Sequence, residues 1–194
     1  MGFLSDILKK VLSSSGSSNN GSTNKKPAFI KKSETFTFNA LPTNLAELKV
    51  LPEAALDTPF KTAALAVCAL NVYSTDPDTA IEMLNFLKGP QPLTPFEKQF
   101  LHDRFAHQNY IPISYFKGAV PSNNYTPSTP FTITVEDNPY SYDNAGYAVL
   151  YLSSGGADNA RQIKLRQKGD GQWFLWEQLL LTDIRKKQSE DPWA

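Results

Sequence analysis

Few side chains in this chain are able to do chemistry, and most of them are badly placed for it. His102 and His107 stand five apart toward the end of an apolar-periodic segment. Two helical ligands reach one metal at i, i+4, so this spacing reads as a pair of surface histidines and predicts no metal site. The single cysteine, Cys68, lies among Ala, Leu and Val. A nucleophilic thiol needs an accessible, electropositive setting, so Cys68 is expected to be a small buried hydrophobe. Ser153-Ser154-Gly155-Gly156 lacks the Gly-x-Ser-x-Gly elbow. Neither it nor Gly169-Asp170-Gly171 leads from a strand into a helix, as a phosphate-cradling loop must. What remains is a carboxylate acting as general acid or base in a pocket. Asp137, Asp143, Asp158, Glu177 and Asp183 are eligible. Glu177 stands out as the weak catalytic candidate, because it follows four apolar residues, Trp173, Phe174, Leu175 and Trp176. Burial would raise its pKa. The competing reading, a pair with Arg161 or Arg166 on the neighbouring strand, is favoured. No cofactor is expected.

Recognition chemistry is better represented. Seven tyrosines (110, 115, 125, 140, 142, 147 and 151) are set among Pro, Asn, Ser and Gly. Loops of that composition make good binding surfaces, since the rings supply rigid contact area and the small polar residues adapt their hydrogen bonds. Tyr125, Tyr140 and Tyr142 are the candidate ligand-recognition residues, for a peptide, a glycan or another protein. Tyr147 and Tyr151 equally fit a strand, where aromatics pack well.

A second candidate surface stands at the start of the chain. Phe3, Leu4, Ile7, Leu8, Val11 and Leu12 share one helical stripe, with Ser5, Asp6, Lys9 and Lys10 opposite. So short a helix is marginal alone in water and needs something to pack against. The Ser, Gly and Asn that follow are expected to form a flexible linker. This gives a domain plan of an amphipathic leader helix over 1–12, a linker over 13–30 and one domain over 31–194. The leader is expected to dock on a protein partner or a membrane surface, to fold back on its own domain, or to pair with its copy in a homodimer.

Charge narrows the partners. Residues 1–40 hold six lysines against Asp6 and Glu34, so the neutral chain divides into a basic start and a body of net −4. An acidic body argues against nucleic acid. No apolar run approaches the roughly 18 residues that span a bilayer. The lysines follow the first apolar residues and Asp6 interrupts them, which is not the order of a secretory signal. A lone cysteine excludes an internal disulfide. Together these point to a cytoplasmic protein.

The positioning elements are read from caps and periodicity. Residues 34–39 alternate as a strand, and 44–51 form a short helix capped by Asn44. Three longer helices begin on cap-then-proline signals, at Asp57 or Thr58 with Pro59, at Asp76 with Pro77, and at Thr94 with Pro95. The first is apolar nearly all round and therefore central. The third is expected to turn Phe96, Phe100, Leu101 and Phe105 inward. From Tyr110 the period changes to strands over 131–135, 147–152, 161–168 and 172–177, with a hairpin at Lys168-Gly169-Asp170-Gly171. A short helix over 179–187 closes the chain. The expected class is α+β, three main helices on one face of an antiparallel meander of about four strands. A curved sheet with a helical cover often encloses a pocket, as in cystatin-like or NTF2-like folds.

The stretches 81–90 (IEMLNFLKGP), 154–158 (SGGAD), 171–177 (GQWFLWE) and 191–194 (DPWA) resemble an uncharacterised bacterial family known only as a domain of unknown function. The likeness covers roughly residues 35–194. It implies a single bacterial domain ending with the chain, and it carries over no catalytic residue. The function expected is a non-catalytic interaction module working through the leader and the tyrosine loops. The alternative is a small-ligand-binding or hydrolytic domain with a carboxylate in a pocket between helices and sheet.

Overall fold

The computed structural model describes residues 29–193. The leader residues Phe3, Leu4, Ile7, Leu8, Val11 and Leu12, and most of the linker, lie outside that range. Strand β1 (Ser33–Phe38) comes first, then α1 (Leu45–Lys49), α2 (Pro59–Val72), α3 (Pro77–Lys88) and α4 (Pro95–Phe105). Strands β2 (Phe131–Glu136), β3 (Tyr147–Leu152), β4 (Arg161–Gln167) and β5 (Trp173–Gln178) follow. Every pairing is antiparallel and the order across the sheet is β1-β2-β3-β4-β5. The fold is α+β as expected, with β1 added to the edge as a fifth strand.

The helix starts follow from their caps. Thr58, Asp76 and Thr94 sit in extended conformation and accept from the backbone N–H three residues on, each followed by proline at the first helical position. These caps satisfy donors that a helix leaves orphaned, while proline has no donor to lose there. α2 touches all five strands and is buried almost throughout, Cys68 included. Its Ala63, Leu65, Val67 and Leu70 pack with Phe38, Ile133, Leu150, Leu165 and Leu175 from the sheet's inner face. The space between central helix and sheet is thus filled with side chains, and the clefts described below lie at the sheet's rim and on its outer face.

Residues 179–187 do not form the expected helix. Leu180, Leu181 and Ile184 do bury themselves with helix-like spacing. Their backbone groups, however, have other partners. The Leu179 N–H donates to Gln162 O and prolongs the ladder, and the Leu180 N–H donates to Gln178 Oε1. The Arg161 guanidinium donates to the carbonyls of Thr182 and Asp183, Tyr115 Oη to Leu180 O, and Tyr125 Oη to Arg185 O. Those carbonyls are the acceptors an α-helix would need. Asp183 stands at φ 52°, outside helical space.

Candidate functional site: an apolar groove between α4 and β5

The groove is assembled by one ion pair, between a buried lysine and a half-buried glutamate. Glu97 closes the α4 capping box, its Oε2 accepting from the Thr94 N–H and hydroxyl, both at 2.7 Å. Its other oxygen accepts from Lys88 Nζ at 2.7 Å, at the last residue of α3. The same ammonium donates to Trp176 O at 3.3 Å. Leu165 faces Leu175 and Lys164 faces Glu177, so Trp176 is the extra residue of a β-bulge and its carbonyl is free for Lys88. One cation thus ties the end of α3, the start of α4 and the bulge of β5. Burial alone would raise the Glu97 pKa, but the hydrogen bonds from Lys88 and Thr94 outweigh it and hold the carboxyl below the ordinary carboxylate range.

Beside this tie lies an open groove of about 230 Å³. Leu70, Leu84, Leu101 and Leu175 form its floor. Leu93, Phe96 and Phe100 form the helix wall, and Trp176, Glu177, Gln178 and Leu179 the strand wall. Two of these apolar side chains stand out in solvent, Phe96 at 79% exposure and Leu179 at 47%. The outer edge of β5 is capped at two residues, Trp173 and Trp176. Trp173 donates its N–H to Leu56 O and accepts from the Thr62 hydroxyl, while Lys88 holds the Trp176 carbonyl. A ligand here meets side chains rather than an open backbone ladder.

A second cleft, of about 330 Å³, shares Lys88, Leu175 and Trp176 but opens on the sheet's outer face, between Pro90-Gln91 and the β4–β5 hairpin. Phe174 forms its side wall, its ring so close to Gly89 (φ 58°) that a Cβ there would collide with it. Arg166 spreads over the Trp176 ring at 4.7 Å, and Tyr147 meets Trp176 edge-on at 5.7 Å.

The sequence candidates do not converge. Glu177 is exposed and faces Lys164 across the ladder. It pairs with neither Arg161, which is bound to backbone carbonyls, nor Arg166, which lies on aromatic rings. Its place on the open groove rim supplies none of the burial that would make it a general acid. Tyr125 does not stand on the surface. It is 2% exposed, stacked on Tyr110 with ring centroids 5.1 Å apart, and its hydroxyl donates to Arg185 O. The positive φ of Asn124 and Tyr125 turns the polar loop inward at that point and carries the ring into the core. Tyr140 and Tyr142 do stand on the surface, at 72% and 48% exposure. Their loop is braced by Asn138 Oδ1 accepting from the Tyr140 N–H and by Ser141 Oγ donating to Val149 O. It connects β2 to β3, two strands from β5. His102 and His107 are both exposed. Among the described residues no group of three or more His, Cys, Asp or Glu is gathered to hold a metal, and no helix is long and apolar enough to cross a membrane.

Sequence reading missed the groove because it placed Phe96 in the core. At 3.6 residues per turn, Phe96 and Phe100 share one direction, while Leu101 and Phe105 share another about 140° away. Leu101 and Phe105 are buried, Phe100 is half-buried and Phe96 is out. Two apolar stripes on an eleven-residue helix were the available signal, since one face of such a helix satisfies one core.

Over residues 40–188 the chain matches the family model described as Domain of unknown function (DUF6935), and it belongs to that family. No curated protein and no solved structure matches it.

Proposed function

We propose that this domain is a protein-interaction module whose α4–β5 groove receives an apolar helix. The observation that carries this reading is the pair Phe96 and Leu179, two large apolar side chains held in solvent on opposite lips of a preformed apolar groove. An apolar cleft with exposed apolar lips and a polar rim is the geometry of helix-in-groove recognition. Covering a largely exposed phenylalanine contributes about 2–3 kcal/mol, which makes Phe96 an anchor for the partner. Because Trp173 and Trp176 already have partners on the outer edge of β5, an added strand would meet an interrupted ladder, and a helix presenting side chains at i, i+4 and i+7 fits better. Tyr140 and Tyr142 form a separate exposed patch that a large partner would reach only by wrapping the sheet.

A displayed library of amphipathic helices, selected on the intact protein, tests the reading. The expected result is enrichment of helices with an apolar i, i+4, i+7 face whose binding is lost on Phe96→Asp. Failure to enrich any helix, or helices that bind Phe96→Asp as tightly, would overturn it.

A further inference from the structure

We infer that the groove's resident occupant is the chain's own start: residues 1–12 dock intramolecularly between α4 and β5 and compete with any partner helix. This deepens the groove reading above and rests on it.

The first support is complementarity. In the sequence Phe3, Leu4, Ile7, Leu8, Val11 and Leu12 recur at helical spacing, and a helix with that stripe would need a cover. Phe96, Leu179 and the floor beneath them form an apolar groove that needs one too. A twelve-residue helix is about 18 Å long, and the eleven-residue α4 wall is about 16 Å. At helical spacing Lys10 flanks the stripe beside Phe3 and would lie at the rim, where the Glu177 carboxylate forms no ion pair among the described residues.

The second support is where the described chain begins. One row of residues runs across the sheet at a single end: Ser33 faces Glu136, Glu136 faces Tyr151, Tyr151 faces Gln162, and Gln162 O accepts the Leu179 N–H. That row joins the chain's entry point to the groove lip. Lys31 pairs with Glu136 at 2.6 Å, and Phe29 lines a cleft with Tyr151 and Ala160. The entry therefore leans over the sheet's outer face at β3, about two strand spacings, or roughly 10 Å, from β5, and the leader would reach the groove round the Leu179 end of that strand. A flexible segment with the length and the Ser, Gly and Asn content of residues 13–28 would have a root-mean-square reach of about 22 Å. Tethering on that scale gives an effective concentration in the millimolar range, so even a helix with a dissociation constant of about 0.1 mM would fill the groove about ten to one.

Cysteine cross-linking in the full chain tests this cleanly, because Cys68 is fully buried with its thiol pushed far up by burial. Leu8→Cys is combined with Leu179→Cys, and separately with Phe96→Cys, both at exposed lips. Leu8→Cys with Thr35→Cys, on the far edge strand, is the reference. Under mild oxidation at micromolar protein, either lip pair should close as a monomer at least tenfold faster than the reference pair. In the protein without added cysteines, Leu4→Asp with Leu8→Asp should tighten binding of a library-selected helix about tenfold. Equal closure rates, covalent dimers from the lip pairs, or vesicles of phosphatidylcholine and phosphatidylglycerol abolishing the cross-link would each overturn the inference, in favour of no docking, a second copy or a membrane surface. If the leader does not cross-link but selected helices still bind in a Phe96-dependent way, only this inference falls. If no helix binds in either leader form, the groove reading falls with it.

Discussion

Replacing Glu97 with glutamine probes the tie that frames the groove. Lys88 has only 8% of its side chain exposed and two acceptors, Glu97 Oε1 and Trp176 O. Glutamine keeps the shape and an acceptor for the Thr94 N–H, but it leaves the ammonium desolvated without a counter-charge. Removing one partner of a fully buried pair costs about 3–5 kcal/mol. The Glu97 side chain is 35% exposed, so solvent screens part of this, and a loss of about 2 kcal/mol is expected. Lys88→Met removes the cation together with its desolvation and lets Glu97 hydrate, for a loss of about 1 kcal/mol. The double variant should be no less stable than Glu97→Gln alone, a coupling of about 1 kcal/mol. Urea unfolding of the four proteins at neutral pH gives each value from the midpoint and slope. The pH dependence supplies a second check. The folded pKa of Glu97 lies below its unfolded value, so its contribution is full above the unfolded value and is lost as pH falls through the folded one. The advantage over Glu97→Gln should therefore hold at neutral pH, begin to shrink as pH falls through the ordinary glutamate range, and vanish only below the depressed folded pKa. Additive losses, or an advantage that persists in acid, would refute the tie.

Gly156→Ala should destabilise the fold by about 2–4 kcal/mol in thermal unfolding, because a Cβ there would overlap the Tyr125 hydroxyl and approach Ile184 Cγ2 to 2.7 Å; an unchanged melting temperature would contradict the packing. Burial, aided by the neighbouring Tyr110 and opposed by Arg185, pushes the Tyr125 phenol up to about 12. A folded pKa above the unfolded one means stability that is full below about pH 10 and lost as pH rises toward the folded value. Ultraviolet titration should show late tyrosine ionisation, to which Tyr115 also contributes, with an amplitude that Tyr125→Phe reduces by one phenol. Cys68 should react with an aromatic disulfide reagent only as fast as the protein unfolds, because burial raises its thiol and blocks access; rapid labelling of the native protein would count against the buried setting.

The parts of the fold legible in the sequence were those written locally. Thr58-Pro59, Asp76-Pro77 and Thr94-Pro95 mark helix starts because cap and proline act within one turn. The hairpin after Lys168 is equally local. What stayed hidden depends on partners distant in the chain. Residues 179–187 carry a helical apolar spacing, yet Arg161, Tyr115 and Tyr125 take the carbonyls a helix requires. Tyr125 sits in a sequence of polar loop residues and is nonetheless core, because Tyr110 and the closing segment meet it from 15 and 60 positions away. Glu177 was singled out for following apolar residues, but the bulge at Trp176 leaves it on an open rim. The groove itself depends on Lys88 and Glu97 meeting the bulge of a strand some eighty residues on, which no local pattern encodes.

Hydrogen–deuterium exchange of the full chain with and without a library-selected helix tests the groove most directly. The result expected is protection confined to the first turns of α4 and to Gln178, Leu179 and Leu180, absent in Phe96→Asp. Protection centred instead on the Tyr140–Tyr142 loop or on the outer face of β3 and β4 would contradict the assignment of the groove as the binding surface.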